Sequence, residues 1–170
     1  TRGSAYHRVM ELMPFDKITD EINILKLDEL MEEYLATGEL LKEEYTLVDK
    51  EKICIFLHSD LGKRMIEAAK GEKLYLEQPF VLGISADRLS QEFPKEETIL
   101  IQGIIDGYFI EDNQIILMDY KTDRVRLGKE LVNKYRIQLD YYKEALERIA
   151  GLRVKEMLIY SFHLDSTITV

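Results

Sequence analysis

Cysteine is nearly absent from this chain of 170 residues, which contains only Cys54. A single cysteine excludes a disulfide within the chain, and it also excludes a zinc or iron–sulfur site with four cysteine ligands. A reduced, intracellular setting is the simplest interpretation of that count. The three histidines are too few and too scattered for a metal site made of histidines alone.

Basic residues are outnumbered, with 23 Lys and Arg against 32 Asp and Glu, which gives a net charge of −9. Taken alone, that balance argues against a nucleic-acid partner, because phosphate contacts usually need a basic surface. Hydrophobic residues make up 46% of the chain, which excludes a disordered acidic tail. No apolar run approaches the roughly 18 to 20 residues of a bilayer span, so we expect a soluble chain.

Proline and glycine are also scarce, at three and nine residues, and no linker or internal repeat is visible. We therefore expect one domain over residues 1–170, with a mainly helical part over 1–72 and a part that contains the sheet over 73–170. The chain begins with Thr1 rather than Met, and for that reason we expect a fragment of a longer protein.

Apolar spacing and capping residues predict four helices in the first part. Ser4 is the expected cap of the first helix, and Thr19 and Asp20 precede the second. Asp49 opens the third, and Ser59 or Asp60 caps the fourth. The expected spans are 4–13, 22–35, 49–56 and 61–69.

After Gly71 the pattern changes to strands. Apolar residues at even positions predict a strand over 74–84, and two Ile-rich segments around a polar turn at 111–114 predict a hairpin. A long helix over 129–150 follows, with Gly151 at its end, and then a strand over 154–162. This order indicates an α/β or α+β sandwich with a small mixed sheet.

The hairpin brings two carboxylates together. If the turn is centred between residues 112 and 113, Asp106 lies opposite Asp119, and Lys121 emerges on the same face. The flanking apolar runs predict a strand buried on both faces, where charges are costly unless they are paired or bind a metal. A solvated strand pair, or a bulge that breaks the register, is the alternative.

Two close carboxylates repel each other and need a cation, and Mg²⁺ prefers such oxygen ligands. A neighbouring lysine fits metal-assisted phosphodiester hydrolysis, because its ammonium group can orient a water molecule or offset charge on the phosphate. The pattern therefore predicts a hydrolytic metal site at the end of the hairpin.

Four motifs in order resemble those of the RecB-type nucleases of the PD-(D/E)XK superfamily. They are Gly3–His7 for G-x-x-x-H, Gly103–Asp106 for G-x-x-D, Asp119–Thr122 for D-x-K-T and Gln138–Tyr142 for Q-x-x-x-Y. The resemblance extends over nearly the whole chain. It implies a restriction-endonuclease-like α/β core with a small mixed sheet flanked by helices.

The resemblance also implies the roles of individual residues. The implied metal ligands are His7, Asp106, Asp119 and the backbone carbonyl of Tyr120, and the implied catalytic residues are Asp106, Asp119, Lys121, Gln138 and Tyr142. The implied ion is Mg²⁺, with Mn²⁺ as a substitute. Some related nucleases hold an iron–sulfur cluster on four cysteines, and the single cysteine here excludes that branch.

By resemblance, such a domain belongs to a cytoplasmic bacterial helicase–nuclease that repairs double-strand breaks. Its partners would be single-stranded DNA, the attached helicase domains, where ATP binds, and a second subunit. Two alternatives stay open at this point. One is a catalytically silent module of the same fold that binds DNA ends or docks subunits, and the other is a free-standing phage-type exonuclease.

The basic residues are concentrated just after the catalytic strand, within residues 121–136. They could track the phosphates of a DNA strand that leaves the metal site, or they could be a solvated loop and helix start.

The sequence also leaves the roles of two acidic residues undecided. Glu77 is either a solvated strand end or an active-site carboxylate, and Glu11 is either a surface charge or a group that orients His7.

Overall fold

The computed structural model describes residues 1–170 and contains six α-helices and five β-strands, with two short 3-10 helices. The helices are α1 Arg2–Leu12, α2 Ile24–Thr37, α3 Lys42–Leu47, α4 Lys50–His58, α5 Asp60–Lys70 and α6 Gly128–Ala150. The strands are β1 Leu74–Ser85, β2 Thr98–Glu111, β3 Gln114–Lys121, β4 Val154–Ser161 and β5 Ser166–Thr169. None of these helices combines the length and the apolar composition that a membrane crossing requires.

The five strands form one mixed sheet in the order β1-β2-β3-β4-β5. Strands β3 and β4 are parallel and are connected through α6, whereas the other neighbouring pairs are antiparallel. The predicted α/β class with a small mixed sheet flanked by helices is therefore confirmed. The edge strand β5 and the short helix α3 were not predicted, because a segment of four or six residues carries too little periodicity to be recognised.

The register of the β2–β3 hairpin agrees with the sequence-based prediction. Pairing runs from Glu111 opposite Gln114 to Gly107 opposite Met118. The two turn residues, Asp112 and Asn113, both have left-handed backbone with φ of 49° and 61°, as in a type I′ turn. Backbone pairing between β2 and β3 stops just before Asp106. The two catalytic candidates, Asp106 and Asp119, therefore lie just beyond the last paired residues.

Each face of the sheet supports its own apolar core. Helices α1, α2, α4 and α5 pack on one face around Phe56 and Phe109, and this is the first core. Helix α6 packs on the other face around Leu139 and Leu146, and this is the second core. Residues 115–118 of β3 alternate between the two cores and are fully buried. The prediction of a strand buried on both faces is therefore confirmed for β3. It is wrong for Ile104 of β2, which is 55% exposed because it lines an open groove with Pro79 and Val81.

Strand β1 changes face at Glu77, and this change positions the site. Leu76 contacts the first core, whereas Phe80 belongs to the second, although a regular strand would keep both even-numbered residues on one face. Glu77 has left-handed backbone with φ of 50°. The pairs Leu76–Gly107 and Gln78–Ile105 on either side place Glu77 next to Asp106.

Two predicted helix starts are wrong, each by less than one helical turn. Helix α1 begins at Arg2, because the side chain of Thr1, rather than that of Ser4, caps it by accepting the Ser4 amide. Helix α2 begins at Ile24, where Asn23 provides the cap. Several polar residues precede each helix, and the sequence alone does not show which of them turns its side chain back onto the helix.

The later caps follow the sequence more closely. Asp49 caps α4 and Ser59 caps α5, as predicted. Gly151 ends α6 in the left-handed conformation, also as predicted. The apolar face of α6 ends before its last turn, because Ile149 is 64% exposed.

Candidate active site

Four elements bring ionisable side chains together where β2 and β3 stop pairing. Helix α1 contributes His7, strand β1 contributes Glu77, strand β2 contributes Asp106, and strand β3 contributes Asp119 and Lys121. Each of these side chains contacts or electrostatically influences at least one other member.

Asp106 is the centre of this cluster and is only 7% exposed. Its Oδ1 atom lies 3.0 Å from Nδ1 of His7, and its Oδ2 atom accepts a hydrogen bond of 2.9 Å from the Tyr120 amide. Burial alone would raise the pKa of Asp106, but the hydrogen bonds and the charge of His7 hold it below the usual value. Burial likewise opposes the charged form of His7, yet Asp106 raises the pKa of the imidazole above its ordinary value.

Glu77 completes a group that could hold a cation. One ligand atom each from His7, Glu77 and Asp106 lie within 4.8 Å of one another. Burial, followed by the charge of Asp106, raises the pKa of Glu77 to about 7. The sequence did not decide whether Glu77 is a solvated strand end or an active-site carboxylate. The one indication of a role in the site was an acidic residue within an apolar strand pattern.

Asp119 is more deeply buried than Asp106, with 2% exposure. Its burial, followed by the charge of Asp106, raises the pKa of Asp119 to about 7, although the charge of Lys121 opposes this. Its Oδ2 atom lies 2.8 Å from Nζ of Lys121 and forms an ion pair with it. The geometry of this contact is not that of a hydrogen bond, so Oδ2 has no hydrogen-bond donor. The predicted placement of Lys121 on the same face as Asp119 is confirmed.

These residues fit a divalent cation. Carboxylate oxygens are the ligands that Mg²⁺ and Mn²⁺ prefer, and an imidazole nitrogen also suits Mn²⁺. A buried carboxylate oxygen without a well-placed donor, as in Asp119, is expected where a cation completes the site. Of the predicted ligands, His7 and Asp106 lie in this group of three, and Glu77 rather than Asp119 completes it. Asp119 lies next to the group, against Lys121, and its ligand role stays a prediction. The ligand role of the Tyr120 carbonyl stays a prediction.

Gln138 and Tyr142 lie one turn apart on α6, and the Gln138 amide donates a hydrogen bond of 2.8 Å to the Tyr142 hydroxyl. Burial, followed by the charge of Asp119, raises the pKa of Tyr142 to about 12, which indicates that the phenol faces the carboxylates. Gln138 itself is exposed. Its implied catalytic role stays a prediction.

Glu11 pairs with Arg8 at 2.9 Å, on its own helix. It makes no hydrogen bond to His7, so the alternative of a surface charge describes it better.

Arg8 and Glu11 line an open cleft, together with His7 and Glu77. The cluster is therefore reached from solvent on the α1 side. A second groove, lined by Pro79, Val81, Ile104 and other residues, holds no ionisable group.

Comparison with known proteins agrees with this geometry. The model of the PD-(D/E)XK nuclease superfamily matches residues 1–168. The chain is 40% identical over 179 residues to the A subunit of the ATP-dependent helicase/nuclease of Clostridium perfringens (strain 13 / Type A), covering 99% of this chain and 14% of the relative. It is 35% identical over 175 residues to the protein of the same name in Clostridium novyi (strain NT), with the same two coverages. The chain thus spans about a seventh of the length of these relatives, and it belongs to the PD-(D/E)XK nuclease superfamily.

Proposed function

We propose that this chain is a divalent-metal-dependent DNA nuclease domain that hydrolyses phosphodiester bonds. The observation that carries the proposal is the juxtaposition of His7, Glu77 and Asp106 with the Asp119–Lys121 pair. A cation-binding group of this composition beside a lysine suits phosphodiester hydrolysis, and the chain belongs to a superfamily of nucleases.

The metal would be held by His7, Glu77, Asp106 and Asp119, with the Tyr120 carbonyl as a further ligand. When bound, Mg²⁺ or Mn²⁺ supplies a Lewis acid for the phosphoryl oxygen and a water molecule of lowered pKa. The protein provides the fixed donor geometry, because Asp106 is held by His7 on one oxygen and by the Tyr120 amide on the other.

Lys121 is the proposed catalytic lysine. Its ammonium group lies 2.8 Å from Asp119 and remains protonated, because Asp119 raises its pKa although burial acts in the opposite direction. From there it would orient the attacking water or offset the negative charge that grows on the phosphate. Gln138 and Tyr142 would contact the DNA strand from α6.

The exposed basic residues that follow β3 would bind the phosphates of the departing strand. They include Arg124, Arg126, Lys129 and Arg136. Because such contacts are to the backbone, cleavage would depend little on base sequence.

We propose further that residues 1–170 form one nuclease domain, with a helical part over 1–72 and a catalytic sheet over 73–170, within an AddA-type helicase–nuclease. The names of the relatives support that assignment. The substrate would be single-stranded DNA from a double-strand end, supplied by attached ATP-dependent helicase domains. An AddB-type subunit would be the partner, in cytoplasmic break repair and recombination.

The test is cleavage of labelled single-stranded DNA with Mg²⁺, Mn²⁺, Ca²⁺ or EDTA. We expect cleavage with Mg²⁺ or Mn²⁺ only, and a loss of at least about a hundredfold in Asp119→Asn and in Lys121→Ala. Asp20→Asn is the matched control, because Asp20 is an exposed carboxylate that lines a separate cleft with Lys63 and Lys70. Circular dichroism checks that each variant is folded.

Undiminished cleavage by Asp119→Asn or Lys121→Ala would contradict the proposal. DNA binding without metal, combined with no cleavage under any condition, would favour a silent DNA-binding or docking module instead.

A further inference from the structure

The ring of Tyr135 lies against the lysine of the site. Nζ of Lys121 is 4.1 Å from the ring centroid, within the distance of a cation–π contact. The same ammonium group is 2.8 Å from Asp119. Lys121 ends strand β3 and Tyr135 lies on helix α6, so this contact joins the two elements beside the site.

Tyr135 is itself fixed from the other side. Its hydroxyl donates a hydrogen bond of 2.8 Å to Oδ2 of Asp123, and the same oxygen receives one of 2.7 Å from Lys134. Asp123 lies in the segment that leaves β3, so one carboxylate ties this segment to α6. The ring cannot withdraw from this position without breaking the hydrogen bond to Asp123.

A lysine side chain is flexible, and a catalytic ammonium group must be held close to one position. The negative face of an aromatic ring attracts the ammonium group, yet it offers no lone pair that would compete with Asp119 for its protons. Contact with Tyr135 therefore restricts Lys121 without blocking its donors. No hydrogen bond or ion pair joins Tyr135 to His7, Glu77, Asp106 or Asp119, so Lys121 is the member of the site that its ring contacts.

We propose that Tyr135 is a positioning residue for the nuclease reaction, and that its ring, anchored by Asp123, holds the ammonium group of Lys121 beside Asp119. The inference rests on the proposed function, in which Lys121 acts on the water or the phosphate.

A purely structural role is the competing explanation, because Tyr135 is half-buried and packs against the second core. Tyr141 offers a matched control. It is half-buried on the same helix and packs against the same core, but its ring contacts Arg88 rather than Lys121. A loss that is specific to Tyr135 cannot come from core packing alone.

The first measurement needs neither metal nor DNA. In the NMR spectrum of protein labelled with ¹³C at the lysine ε-carbon, we expect the ε-protons of Lys121 to be shifted upfield by the ring current of Tyr135. The signal is assigned with Lys121→Arg. The shift should disappear in Tyr135→Leu and remain in Tyr135→Phe and Tyr141→Leu.

The second measurement is steady-state cleavage at saturating metal. We expect kcat to fall about tenfold in Tyr135→Leu with KM nearly unchanged, since a displaced catalytic group affects the chemical step. Tyr135→Phe keeps the ring and loses only the hydrogen bond to Asp123, so its kcat should lie between those of Tyr135→Leu and the wild type. Tyr141→Leu should stay close to wild type, and thermal melting compares the stability of the variants.

An upfield shift that persists in Tyr135→Leu would overturn the inference, as would a kcat for that variant equal to that of Tyr141→Leu. Those results leave the proposed function intact if the wild type cleaves DNA. A wild type that does not cleave DNA with any divalent ion overturns the proposed function itself, and with it the positioning role of Tyr135 in that reaction.

Discussion

The Nδ1 atom of His7 lies 3.0 Å from the Oδ1 atom of Asp106, and this contact joins helix α1 to strand β2 at the centre of the site. The imidazole of His7 lies beside the buried carboxylate of Asp106, where a bound cation would also lie. It raises the stability of the charged form of Asp106, while Asp106 raises the pKa of His7. A divalent ion that binds in the same place must displace a proton.

Metal binding should therefore release protons near neutral pH. The pKa of His7 is raised, and those of Glu77 and Asp119 are about 7, so bound protons compete with an ion for these groups near neutral pH. We expect the affinity for Mn²⁺ to rise about tenfold or more between about pH 6 and about pH 8. Calorimetry in buffers of different ionisation enthalpy measures the number of protons released. An affinity that is independent of pH would contradict this prediction.

The metal-free protein should lose stability as the pH rises. The folded pKa of Glu77 lies at about 7 against an ordinary value of 4.5, so the folded state binds more protons than the unfolded state across that interval. Asp119 acts in the same direction between 3.8 and about 7, and the contribution of His7 is lost as the pH rises through its raised pKa. The melting temperature in EDTA should be several degrees lower at about pH 8 than at about pH 5.

Saturating Mg²⁺ should abolish most of that decrease, because the ion replaces the protons. If the melting temperature in EDTA instead rose over the same range, the predicted sign would be wrong.

Replacement of Glu77 by Gln should separate metal binding from folding. The Glu77→Gln variant removes a carboxylate that is costly to ionise next to Asp106, so the metal-free protein should become more stable at neutral pH. Its affinity for Mn²⁺ should fall by about tenfold or more, because one ligand is neutral. Thermal melting and metal titration measure the two effects. Asp20→Asn is the control, since Asp20 is an exposed carboxylate that lines a separate cleft.

Gly107, next to Asp106, should not tolerate a side chain. A Cβ atom there would lie 2.7 Å from Sδ of Met118 and 3.0 Å from Cδ2 of Leu76. We expect Gly107→Ala to lower the free energy of unfolding by about 1–3 kcal/mol and to reduce cleavage, because the strain acts beside Asp106. Gly83→Ala is the matched control in β1, where the nearest atom would be 3.4 Å away. Urea denaturation compares the two, and equal losses would contradict the steric argument.

Charge reversal at Arg124 and Arg126 should weaken DNA binding without changing the metal site. Both side chains are exposed on the segment after β3. In the double Glu variant, KM should rise, and the dependence of binding on salt concentration should become shallower by about 0.7 for each phosphate that the variant no longer binds. Lys63 and Lys70 on α5 are exposed controls on another surface. A double Glu change there that weakened DNA binding equally would show that only net charge matters.

The hairpin shows how far sequence alone can predict this site. Asp112 and Asn113 accept left-handed backbone, and the apolar residues on either side fix which positions face each other. The register follows from these local features, and it places Asp106 beside Asp119 with Lys121 on the same face. Both the turn and the pattern lie within a short segment, so no distant contact is needed to predict them.

Glu77 and Tyr135 show where that reasoning stops. Glu77 reaches the site because its left-handed backbone turns β1 between the two cores, and β1 pairs with β2 across a long connection rather than a tight turn. Tyr135 contacts Lys121 because α6 packs against the second core beside the end of β3. The exposure of Gln138 and Ile149 depends on the same packing.

The sequence by itself therefore determined the fold class, the four motifs, the hairpin register and the placement of Asp106 near Asp119 and Lys121. Each of these depends on periodicity, turn chemistry or motif order, all of which can be read from neighbouring residues. Only the tertiary structure decided that Glu77 joins His7 and Asp106, and that Tyr135 contacts Lys121. Those contacts depend on how helices and strands far apart in the chain pack together, and packing is a property of the whole core rather than of any one segment.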